Sequence, residues 1–181
     1  MIKRLTLTLT LLIAAFGALA QEAPNTAASN FSVVNNSIVW QKVFTSSLTY
    51  NELLKSVIAS GVFEKIDTIG HQIAGQSKQF DMDYKGAGFS SSPIYIRDSH
   101  FRWHTTIECK DGRYRVTVRN IEMEQSYSNP MFKQGQKDYL DNLFVKNGQI
   151  KGSLGSWPKS DKIIDYTFTK LFTFTKQTDN W

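Results

Sequence analysis

The chain has 181 residues, 41% hydrophobic and 13% aromatic, a length that suits one domain with a packed core. Its formal charge of +5, without any long run of one sign, singles out no acidic partner. The lone cysteine, Cys109, excludes an intramolecular disulfide, so stability has to come from packing.

Lys3 and Arg4 precede an apolar run from Leu5 to Leu19 that closes in Ala18-Leu19-Ala20. A basic start, a short apolar segment and small residues before the cut predict a secretory signal peptide cleaved after Ala20. The run is short and rich in Thr for a membrane span, so no stable span is expected after cleavage. The expected localisation is exported, in the periplasm or beyond. Without Lys3 and Arg4, 19 basic residues stand against 16 acidic ones, a balance of +3. Residues 21–32 read as a flexible leader. Residues 33–181 read as a single domain.

Ile38–Phe44 is β-branched and aromatic and predicts the first strand. Thr49 and Glu52 form a capping box; Leu53, Leu54, Val57 and Ile58 follow at helical spacing and Gly61 supplies a stop. A helix over 49–60 is expected. Val62–Ile73 and Gln79–Tyr84 read as two further strands, the second alternating Phe80, Met82 and Tyr84 with Gln79, Asp81 and Asp83.

Asp111-Gly112 is a two-residue hairpin signal. With those residues as the loop, Lys110 pairs with Arg113, Cys109 with Tyr114, Glu108 with Arg115, and so on outward to His104 with Arg119. One face then carries Trp103, Thr105, Ile107, Cys109, Tyr114, Val116 and Val118. The other carries His104, Thr106, Glu108, Arg115, Thr117 and Arg119. A single register thus gives an apolar and a polar face, so one side of the sheet is covered and the other meets water. Residues 126–160, punctuated by Pro130, Gly135, Gly148, Gly152, Gly155 and Pro158, predict a long excursion with one helical turn near Tyr139–Val145. Ser160–Thr178 fits both a helical stripe and a Tyr/Phe-Thr alternation, with its length and a Ser160 cap favouring helix. The expected order is β-α-β-β-β-β-α, an α+β fold with both helices on the apolar face.

Val39-Trp40-Gln41-Lys42-Val43-Phe44, the helix with Glu52-Leu53, and Cys109-Lys110-Asp111-Gly112-Arg113-Tyr114-Arg115 resemble the exported domain-of-unknown-function family 4468. That family is found mainly in Bacteroidetes. The resemblance covers about residues 33–125 and, more loosely, the final helix. It implies a TATA-binding-protein-like fold with a curved, helix-backed antiparallel sheet, and it implies no activity. The fold's name carries no nucleic-acid role, and an exported protein meets little DNA, so no nucleic-acid partner is expected.

No metal, cofactor or catalytic constellation stands out. His100 and His104 lie about 13 Å apart along a strand, too far for a shared metal, and His71 lies elsewhere. Asp81 and Asp83 read as solvated residues on one strand face, Cys109 as a small buried hydrophobe, and Ser90-Ser91-Ser92-Pro93 as a loop. The polar sheet face with Arg102, His104, Arg115 and Arg119, joined by Trp157 in the excursion, is the candidate ligand-binding surface. The expected function is an exported, non-catalytic binding module for an envelope glycan, peptide or protein. One alternative is a structural or assembly partner in an envelope complex. Another is an envelope-polymer hydrolase using Asp81, Asp83, Glu108 and His104.

Overall fold

The computed structural model describes residues 29–130, 132–151 and 157–176. The expected signal peptide, its cleavage after Ala20 and the leader up to residue 28 lie outside them. Among the described residues, no helix is long and apolar enough to cross a membrane.

Two strands open the fold, β1 (Phe31–Val34) and β2 (Ser37–Thr45), joined through Asn35-Asn36, whose φ angles are 50° and 61°. A two-residue hairpin loop needs left-handed backbone at both positions, which Asn tolerates better than most residues. The leader expected over 21–32 is corrected here, because Phe31 and Ser32 pair with Trp40 and Val39. Helix α1 (Tyr50–Ala59) starts at the capping box as expected. The Thr49 N–H donates to the Glu52 carboxylate at 2.9 Å, and the Glu52 N–H donates to Thr49 Oγ1 at 3.4 Å.

The stretch Val62–Ile73, expected as one strand, is a hairpin of β3 (Phe63–Ile69) and β4 (Gln72–Ser77). Gly70 adopts φ 59° and, with His71, reverses the chain so that Ile69 pairs with Gln72. Gly75 of β4 has no room for a Cβ, which would lie 2.5 Å from the Phe63 ring. The pairing of β3 with β4 has a register shift between Phe63 and Lys65, and the Thr68 N–H of β3 donates to the Asp67 side chain at 2.8 Å. Gln79–Tyr84 is not a strand. Phe80 alone bridges to Phe101, and the Asp83 carboxylate accepts the Gly86 N–H at 2.8 Å, turning the chain. Met82 is nevertheless buried between exposed Asp81 and half-buried Asp83, as the alternation required. A short helix not foreseen in the sequence, α2 (Ile94–Arg97), buries Tyr95 and Ile96.

The central hairpin, β5 (Ser99–Lys110) and β6 (Arg113–Gln125), has the expected register from Lys110–Arg113 to His104–Arg119. Beyond it the register shifts: Arg102 pairs with Glu122, so Asn120 and Ile121 together oppose Trp103, with Asn120 at φ 52°. The excursion expected over 126–160 is largely built into the fold. It contains β7 (Lys137–Tyr139), α3 (Leu140–Phe144) and the small hairpin of β8 (Val145–Lys146) and β9 (Gln149–Ile150). β7 pairs with the far end of β6, and α3 buries Leu140 and Phe144 at the apolar density around Tyr139–Val145.

The last segment is a helix, α4 (Trp157–Leu171). Because it begins at Trp157, that residue is not displayed on a loop. Trp157 is 9% exposed, with its ring 4.8 Å from Phe144 and 5.3 Å from Phe31, so its assignment as a ligand contact is overturned. Ser160 likewise is no cap but lies inside α4, buried beside the Tyr95 hydroxyl.

Strands β1 to β7 form one antiparallel sheet in the order β1-β2-β6-β5-β4-β3, with β7 also on β6, and β8 and β9 form a separate pair. The α+β class holds, although the observed order is ββαββαβββαββα. The two long helices serve the apolar face. Phe168 of α4 meets Trp40 and Trp103, and Ser56 of α1 donates to the Thr175 carbonyl just beyond α4. Tyr114 Oη donates to the Phe172 carbonyl at 2.7 Å and accepts the Phe174 N–H at 3.0 Å, fixing the chain after α4. At the opposite end, Asp161 accepts from Ser29 Oγ, while Asp165 accepts from Asn30 and from Trp40 Nε1 at 2.6 and 2.8 Å. Burial pushes the Asp161 carboxyl above the usual carboxylate range.

Two expectations follow. Tyr114→Phe removes both hydrogen bonds of the hydroxyl and leaves the Phe172 carbonyl and the Phe174 N–H unpaired, so chemical denaturation should show a loss of about 1–3 kcal/mol. The Thr49 N–H, and then Lys176, hold the Glu52 carboxyl down at about 2 against an ordinary 4.5. Its stabilisation is therefore present above pH 4.5 and lost as the pH falls toward 2. Melting curves of Glu52→Gln across that window should lose the acid-dependent part of the decline, and Thr49→Ala should cost about 1 kcal/mol at neutral pH.

Candidate ligand-binding face

Because side chains alternate along a strand, burying Trp103, Ile107, Tyr114 and Val116 forces their neighbours to the other side of the sheet. That side is uncovered among the described residues, and its charged side chains gather at two places.

The first lies at the Asp111-Gly112 turn. Val43 of β2, 56% exposed, joins Glu108, Lys110, Arg113 and Arg115 around a shallow cavity of about 210 Å³. Arg115 Nε donates to Glu108 Oε2 at 2.6 Å, and a second guanidinium nitrogen closes on the same oxygen. Arg115 is therefore neutralised within the protein. Lys110 and Arg113, and Arg119 farther along β6, form no ion pair among the described residues and keep their charge for something else.

The second place is the bulge. Arg102 and His104 of β5, Gln76 of β4, Asn120 and Glu122 of β6, and Tyr139 of β7 surround a polar cavity of about 190 Å³. Lys137 lies 3.3 Å from both Glu122 and Glu124, and these hydrogen bonds hold its ammonium above the usual lysine range. Among the described residues the Arg102 guanidinium has one ion-pair partner, Glu64 at 3.8 Å, and its Nε is buried without an acceptor.

The predicted set is thus divided. Arg102 and His104 meet at the bulge, Arg115 stands at the turn, Arg119 pairs opposite His104, and Trp157 is in the core. The residues considered for hydrolysis are not brought together. Asp81 holds His100 at 2.6 Å, Asp83 holds Lys170 at 3.0 Å, and Glu108 holds Arg115. The Gly86 N–H, followed by Lys170, keeps the Asp83 carboxyl below the usual carboxylate range. Among the described residues no three His, Cys, Asp or Glu side chains cluster for a metal. Cys109 is half-buried, and burial together with Asp111 pushes its thiol up, leaving it the weakly nucleophilic neutral form.

Several residues of this face escaped the sequence reading. Lys110 and Arg113 were within reach, since the hairpin register already sets them on the polar side. Gln76, Asn120 and Tyr139 were not: their meeting depends on the β3–β4 turn, on the bulge and on β7.

No family model and no curated protein sequence matches the chain. Solved structures do match in fold. A TBP-like protein from Parabacteroides distasonis aligns with 77% of this chain and 92% of its own, with a TM-score of 0.51 and 11% identity. A DUF4468 family protein from Bacteroides ovatus aligns with 83% of this chain and 95% of its own, with a TM-score of 0.51 and 13% identity. The chain has the TBP-like fold that the resemblance implied.

Glu108 and Arg115 are both substantially exposed, so water screens their attraction. Glu108→Gln and Arg115→Ala should each leave stability within about 0.5 kcal/mol by urea denaturation, which makes them usable as probes of the face.

Proposed function

We propose that this protein is an exported, non-catalytic binding module whose uncovered sheet face captures a carboxylate-bearing envelope glycan. The observation that carries the reading is the pair Lys110 and Arg113, cations in no ion pair among the described residues, beside the exposed apolar Val43. Guanidinium groups bind carboxylates through paired N–H donors, and an apolar neighbour suits the C–H face of a sugar ring. The leader-like first twenty residues support export. The separate engagement of Asp81, Asp83 and Glu108 supports binding over hydrolysis.

Surface plasmon resonance with immobilised polygalacturonate, with neutral dextran as control, tests this reading. Wild type should be retained on polygalacturonate with salt-sensitive affinity. Lys110→Ala/Arg113→Ala should bind about tenfold more weakly or worse. Glu108→Gln should bind more tightly, because it releases Arg115 and removes a repelling carboxylate. Wild-type retention no better than that of the double variant would overturn the reading. Stronger retention on poly-L-glutamate would reassign the face to acidic peptides.

A further inference from the structure

Where β5 and β6 lose register, the extra residue Asn120 takes the left-handed φ of 52°, which Asn adopts more readily than other non-glycine residues. Bulges of this kind re-aim a side chain, and they gather beside functional sites. Here the bulge opens the polar cavity of about 190 Å³. Arg102 Nε, opposite the bulge, is buried without a hydrogen-bond acceptor. Buried donors are satisfied in most proteins, so this one asks for an outside partner.

The chemistry of the walls narrows what that partner is. Gln76 and Asn120 bring planar amides, each both donor and acceptor, and Glu122 brings acceptor oxygens. Tyr139 adds an aromatic ring, 43% exposed. The side chains of Gln76, His104, Asn120 and Tyr139 make no hydrogen bond among the described residues. Charge is nearly balanced, with Arg102 facing Glu64 and Lys137 facing Glu122 and Glu124. A free anion alone therefore gains little here. The volume lies below the roughly 300–1,000 Å³ that encloses a drug-sized ligand. A ligand with several hydroxyls, each donating and accepting, and one apolar ring face answers all of these conditions.

We infer that the bulge pocket is a monosaccharide subsite, with Arg102, Asn120 and Gln76 bonding ring hydroxyls and Tyr139 meeting the C–H face. The inference deepens the reading of the outer face as a glycan-binding surface, but its residues are not the cations of the turn end, so either can fail alone. Saturation-transfer NMR with free D-glucose, D-galactose, D-mannose, L-fucose and N-acetylglucosamine tests it. Transfer to at least one sugar is expected. Asn120→Gly, whose backbone accepts the positive φ, and Arg102→Leu should each weaken that binding about tenfold or more. Lys110→Ala/Arg113→Ala should leave it unchanged, and circular dichroism should show all variants folded. Absence of transfer from every sugar, or binding by Asn120→Gly equal to wild type, would overturn the inference. Polygalacturonate retention that survives either result would leave the turn-end reading standing.

Discussion

One aromatic contact governs the architecture. The Phe168 ring lies 5.3 Å from Trp40 and 4.8 Å from Trp103, so a single residue of the last helix joins β2 to β5 across β6. Phe172, one turn later, extends the cluster to Trp40 and Phe63 at the sheet edge. Each such ring pair contributes about 0.5–1.5 kcal/mol beyond the burial of its area. The Asp165 bond to Trp40 Nε1 gives the indole its polar partner and fixes the helix against β2. Once these aromatics occupy one side, the period-two alternation of β5 and β6 leaves Arg102, His104, Arg115 and Arg119 nowhere to go but the other. The candidate surface is thus a by-product of the core.

The parts of the fold legible in the sequence are those whose signals are local. Thr49 and Glu52 announce a helix start within four residues, and Asp111-Gly112 sets the register of the central hairpin. What was missed depended on partners far away in sequence. Phe31–Val34 is too short to read as a strand without Ser37–Trp40 opposite it, although Asn35-Asn36 marked the turn. Gly70 divides the stretch Val62–Ile73, whose scattered Val, Ile and Thr make it look like one strand. Lys137–Tyr139 becomes a strand only because the far end of β6 is free to receive it. The same logic applies to the site: the cations of β5 and β6 follow from one register, whereas the bulge that assembles Gln76, Asn120 and Tyr139 has no sequence signature. Trp157 was misplaced because an aromatic among Gly, Ser and Pro looks like a loop residue until the helix that follows is extended back to include it.

The two cavities stand at opposite ends of the central hairpin. From Glu108 to Arg102 along β5 is roughly 20 Å at the usual strand rise of about 3.3 Å per residue. A single small molecule cannot touch both. On the reading proposed above, the matching ligand is a linear polymer lying along the strands, with acidic groups toward the turn and a ring seated at the bulge. Linking two modest contacts in this way raises the overall affinity through effective concentration, without demanding that either be tight.

The outer edge of β3 carries a further consequence. An open strand edge is a template for another chain, yet here the shifted register near Lys65 breaks its regular spacing, and the Thr68 N–H is already occupied by Asp67. Exposed Glu64, Lys65 and Asp67 add charge that an incoming strand would have to desolvate. These features disfavour the addition of a further strand on this side.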